Sequence, residues 1–165
     1  MEKKKTDKAA VMGRDVAIVE LNKWYDFLEV PEDLRLDIDL NEELEEGETK
    51  KKEKDDAMRE RVIRGIMSGS IILSEENQLV YTLKEPIKNQ VSGDITYSEL
   101  TFKNRYKAHQ LEANMKGVKP EDFLPMTRAY IATLTGVSRS ILGQLWNKDM
   151  AMAQAVYTLF SRGEA

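Results

Sequence analysis

The densest cluster of chemistry-bearing side chains runs from Asp37 to Glu48. Asp37, Asp39, Asn41, Glu45 and Glu48 stand at positions 1, 3, 5, 9 and 12 of an EF-hand-like loop, with Leu44 at the apolar eighth position. Oxygen ligands at that spacing suit a hard cation such as calcium. The sixth position, which needs glycine for the sharp turn that gathers the ligands, is Glu42. A segment so rich in acids matches parts of such a pattern through composition, and we read it as a solvated charged segment with no metal. Other chemistries have fewer groups still. His109 is the single histidine and there is no cysteine, which excludes two-histidine metal sites, thiolate zinc, disulfides and thiol nucleophiles. Gly65-Ile66-Met67-Ser68-Gly69 lacks the spacing of a nucleophile elbow and reads as a helix end. Neither phosphate-cradling glycine pattern, GxxxxGK[ST] or GxGxxG, occurs. The residues therefore predict a protein that is not an enzyme and takes no cofactor.

One constellation suits nucleic acid. Tyr130 to Phe160 reads as a helix, a tight Thr135-Gly136-Val137 turn, a short helix and a longer closing helix, with Ser138 placed to cap the short one. Ala132, Gly136, Val137, Leu142 and Leu145 occupy the small, turn and apolar positions of a helix-turn-helix. The stretch that would read bases, Arg139 to Trp146, offers only Arg139 and Gln144 to base edges, and the sequence pI is near 5.2. A helical corner built for packing explains the same residues, so nucleic acid is not the expected partner; a small helix-turn-helix regulator remains the alternative.

The elements that would position these groups follow from periodicity. Ala17, Leu21, Trp24 and Leu28 recur at helical spacing in an amphipathic arm over 1–30, stopped by Pro31. Its apolar stripe docks on the body of its own chain or on a partner. Residues 31–54 are a charged flexible linker: acids from Glu32 to Glu48, then the Lys50–Lys54 basic run. Residues 1–60 carry 12 Lys and Arg against 19 Asp and Glu, whereas 61–165 carry 13 against 10. The body, 55–165, begins with a helix capped by Asp55 or Asp56 whose apolar face is Met58, Val62, Ile63, Ile66 and Met67. Ile71–Leu73 and Leu79–Leu83 form a hairpin, Pro86 breaks the second strand, and Ile95–Phe102 is a third strand with a bulge near Ser98-Glu99. A helix over Lys107–Lys116 follows, then one opened by Lys119–Asp122 with Phe123, Met126, Tyr130 and Leu134 on its core side, then the short and closing helices. The expected fold is α+β, mainly α: a small three-stranded antiparallel sheet followed by three to four helices. No apolar run reaches the roughly 20 residues that span a bilayer, and the Lys-rich start lacks a signal-like apolar region, so a cytoplasmic protein is expected.

From about Leu79 onward the order of features resembles the tail assembly chaperones of Mu-like and related tailed phages. The features are Leu83-Lys84-Glu85-Pro86-Ile87 closing a strand, then Tyr97-Ser98-Glu99-Leu100-Thr101-Phe102. A helix ending in a polar-glycine turn follows, then Ala132-Thr133-Leu134-Thr135-Gly136 and a terminal helix with Asp149, Ala153, Val156 and Phe160. The resemblance implies a non-enzymatic role in the host cytoplasm: coating the tape measure protein before tail tube protein polymerises around it, and absence from the mature virion. Self-association into a homo-oligomer and a structural role as a tail or baseplate connector stay open. A holder of exposed apolar helices needs adaptable apolar surface; unbranched Met58, Met67, Met115, Met126, Met150 and Met152 either supply it or fill the core. Trp24, Met115, Met126, Tyr130, Trp146 and Met152 are the expected partner contacts.

Overall fold

The computed structural model describes residues 12–35 and 46–162. The acidic positions 37–45 considered for a cation fall outside them.

Alternation of apolar residues makes the sheet. β1 (Ile71–Leu73), β2 (Leu79–Lys88) and β3 (Ile95–Phe102) form an antiparallel meander in that order. Ile71 stands opposite Tyr81, Leu79 opposite Phe102 and Tyr81 opposite Leu100, and all five are buried on one face. The β1–β2 turn closes through Ser74 and Gln78, with Asn77 left-handed at φ 57°, which asparagine tolerates. Pro86 does not end β2, which runs on to Lys88. The register shifts between Thr82 and Ile87, where β2 carries extra residues, and again between Ile87 and Lys88, where Thr96 of β3 is the extra one. The β3 irregularity thus falls at Thr96 rather than at Ser98-Glu99. Pro86 lies in the unpaired stretch of β2, where a missing N–H costs no ladder bond.

The helices wrap the buried face. α2 (Glu46–Met67) is longer than expected: residues 46–54, read as flexible linker, are its first turns. Glu and Lys are good helix formers, and Lys50 Nζ pairs with Glu46 Oε1 at 3.0 Å, four residues apart. Beyond these turns the helix is anchored by Val62, Ile63 and Ile66, all buried. At Gly65, α2 comes so near the sheet that an added Cβ would lie 2.6 Å from Ile71 Cδ1 and 3.2 Å from Met152 Cε. Gly65→Ala is therefore expected to destabilise by about 1–2 kcal/mol despite alanine's better helix propensity, because overpacking outweighs it. Urea denaturation reads this directly; a raised midpoint would contradict it.

α1 (Arg14–Phe27) lies along α2, and the arm is part of the main core: Ala17, Leu21, Trp24 and Tyr25 are buried in it. Met12 N donates to Met67 O at 3.1 Å, and Arg14 makes a two-oxygen pair with Glu60 at 2.6 and 2.7 Å. That hydrogen bond, with the Arg14 charge, holds the Glu60 carboxyl below its usual range. After α1, a 3₁₀ turn (Glu32–Leu34) is fixed by Arg35, whose Nε donates to Val30 O at 2.7 Å, and by Arg162 Nη1 donating to Leu34 O at 3.0 Å. The beginning and end of the described chain are thus tied together.

α3 (Ala108–Met115) and α4 (Phe123–Thr135) pack on each other, and α4 also meets β3. The core face of α4 differs from the expected one. Thr127, Ala129 and Ile131 to Leu134 are buried, Met126 and Tyr130 are half-buried, and Phe123 faces solvent. Small residues win because the helix sits close to its neighbours, and Thr127 and Thr133 return their hydroxyls to carbonyls four residues back. Gly136 ends α4 at φ 71°, and Ser138 Oγ accepts from Ile141 N at 3.4 Å to cap α5 (Arg139–Leu142). α6 (Asn147–Ser161) closes the core through Met152, Ala153, Ala155, Val156, Leu159 and Phe160, packed chiefly on α2. The architecture is mixed α+β and mainly helical, and among the described residues no helix is long and apolar enough to cross a membrane.

Candidate functional site

Five of the six expected contact residues are at least partly covered. Trp24 is 1% exposed and Met152 is buried, so neither projects from the outer surface. Met115 and Met126 are half-buried, and Tyr130 stacks on Tyr157 with ring centres 5.0 Å apart. Trp146 alone is open, 64% exposed at the start of α6. Met152→Glu should therefore unfold the chain, since an unpaired buried carboxylate costs several kcal/mol, whereas Met115→Glu should leave the far-UV circular dichroism intact. Equal effects of the two changes would contradict this placement.

The helix meant to read bases is one turn long. α5 covers Arg139–Leu142 only, and the expected stretch to Trp146 includes Gly143 and a turn. Arg139 Nη2 donates to Lys116 O at 2.9 Å, so its guanidinium is partly engaged within the fold. Gly143 after Leu142 and the α6 start at Asn147 leave no room for a second turn.

Two arrangements were not visible in the sequence. The first is a buried carboxylate. Asp149, fully buried, accepts from the Tyr81 hydroxyl at 2.6 Å and Lys84 N at 2.9 Å through Oδ1, and from Glu85 N at 3.1 Å through Oδ2. These amides belong to the stretch where β2 departs from its pairing with β3. Asp149 thus supplies the acceptors that a strand partner would otherwise provide. Burial, reinforced by the hydrogen bond and charge of Asp149, pushes the Tyr81 phenol well above its ordinary value. The residues Leu83–Glu85 and Asp149, distant in sequence, meet here as a structural lock.

The second is an apolar cleft between α1 and β1, about 170 Å³, walled by Met12, Leu21, Trp24, Ile66, Ile71 and Leu73 among others. Trp24 belongs to this wall rather than to an outer contact surface. Its indole Nε1–H has no partner among the described residues. Ile72 lines the cleft and is 54% exposed; Val16, one helical turn from the lining residue Glu20, is 53% exposed. Glu20 is paired with Lys23 Nζ at 2.6 Å, which leaves the opening with one neutralised charge pair beside apolar side chains. β1 is an edge strand of three residues, too short to recruit a long added strand, so this cleft suits insertion of an apolar side chain. A second apolar exposure lies on the helical side, where Phe123 and Leu124 stand in solvent at the start of α4.

No protein-family model matches the chain, and no curated protein or solved structure matches it.

Proposed function

We propose that this chain is a phage tail assembly chaperone that binds apolar helical segments of a tape measure protein and keeps them soluble until the tail tube forms. The observation that carries this reading is the apolar cleft between α1 and β1, open to solvent, with exposed Ile72 in its lining and exposed Val16 one helical turn from lining residues Met12 and Glu20. A core that closes without these residues has no packing use for them outside. The cleft has room for one large aliphatic side chain, such as those a solitary amphipathic helix presents at each turn. Exposed Trp146, Phe123 and Leu124 add apolar contacts elsewhere on the surface, and the negative net charge of −4 keeps a loaded complex dispersed.

Binding of this kind is non-catalytic and driven by apolar burial, so it is insensitive to salt, unlike an electrostatic partner. A pull-down of tape measure segments at low and high salt tests it. Retention at both supports the proposal; release at high salt points instead to a charge-driven partner.

A further inference from the structure

A separate cleft of about 500 Å³ opens between α3, α4 and α5, lined by Asn114, Arg128, Ser138, Arg139 and Ser140 among others. Among the described residues no Asp or Glu lines it. Arg128 makes no ion pair or hydrogen bond there with any described residue, and Arg139 spends one Nη2 bond on Lys116 O. Both side chains are half-buried. The Arg128 guanidinium lies along α5, where an added Cβ on Gly143 would stand 3.2 Å from its Nη1. The hydroxyls of Ser138 and Ser140 share a 3.1 Å bond at the same opening. The Asn114 amide is committed to Gln110 O and Thr133 Oγ1, so the donors left are the Arg128 guanidinium, the remaining N–H groups of Arg139 and a hydroxyl. Two permanent cations facing one cavity without a counter-charge repel each other, and the shortest remedy is an anion between them.

We propose that this cleft binds a phosphate group carried on a small ligand, an activity separate from the chaperone reading. A dianionic phosphate balances both guanidiniums and presents enough acceptor oxygens for the fork of each, whereas a single carboxylate leaves one cation uncompensated. Duplex nucleic acid is disfavoured as the source: the whole chain has a net charge of −4, which opposes a polyanion but not a single group held inside a cationic cleft.

The test is titration of the full chain with inorganic phosphate at fixed ionic strength, followed by phosphorus NMR and calorimetry, with acetate as the carboxylate arm and a duplex oligonucleotide as the polyanion arm. Saturable one-to-one phosphate binding is expected, with acetate weaker. Arg128→Met should weaken phosphate about tenfold or more while the fold is unchanged, since Arg128 has no partner to lose among the described residues. Arg139→Met should weaken it as well, with some loss of stability from the lost Lys116 bond. Phosphate stabilises proteins through exclusion from their surface, so only the difference between wild type and Arg128→Met counts. Absence of saturable phosphate binding, unchanged affinity in Arg128→Met, or tighter binding of the duplex lost in the same variant would each overturn the proposal.

Discussion

Asp149→Ala should lower the unfolding free energy by about 3–5 kcal/mol, because it strands a buried tyrosine hydroxyl and two backbone amides at once. The three bonds involved are 2.6, 2.9 and 3.1 Å long. Tyr81→Phe removes one donor and leaves the carboxylate with its two amides, so its cost should be nearer 1 kcal/mol. A double-mutant cycle should show strong coupling, since both changes remove the same bond. A companion effect appears in alkali. The folded state holds the Tyr81 proton more tightly than the unfolded chain, whose phenol titrates near 10.0. The stabilisation is complete below that pH and is lost as pH rises above it, toward the raised folded value. Tyr81→Phe should flatten that alkaline decline. A loss below about 1 kcal/mol in Asp149→Ala would show that water replaces the carboxylate and that the lock does not hold β2.

The second large effect concerns partner capture. Ile72→Glu places a carboxylate in the lining of the apolar cleft and Val16→Glu places one a helical turn from its lining residues Met12 and Glu20, both on residues already half in solvent. The fold should be unaffected, because the new charges stay hydrated in the free protein. In the complex they would be desolvated at a cost of several kcal/mol, so partner affinity should fall by about a hundredfold or more. Circular dichroism and the pull-down are read on the same preparations. Normal capture by both variants would remove the cleft from the account, and the apolar exposures at Phe123, Leu124 and Trp146 would be the next surface to change.

Much of the fold follows from local patterns. Leu79, Tyr81 and Leu83 alternate, Gly136 and Ser138 mark a helix end and a cap, and Met152, Val156, Leu159 and Phe160 repeat at helical spacing; each lies where its pattern places it. The misread parts depend on distant partners. The charged run over 46–54 looks self-repelling in isolation, but it is continuous with a helix anchored by Val62 and Ile63. α4 presents alanine and threonine inward rather than its aromatics, since the choice depends on how near α3, α6 and β3 approach. Asp149 resembles any acid in the first turn of a helix, where the dipole alone would favour it. Only the β2 irregularity, 64 or 65 residues earlier in sequence, gives it its partners. The candidate cleft was hidden for the same reason: Trp24 and Ile72 share it only once α1 has docked beside β1.

The most direct measurement is the soluble fraction of a tape measure protein expressed alone, with this chain, and with the Val16→Glu, Ile72→Glu double variant. Aggregation alone, rescue by the wild-type chain, and loss of rescue with the folded double variant are expected. A tape measure protein that is equally soluble in all three cases would contradict the chaperone assignment.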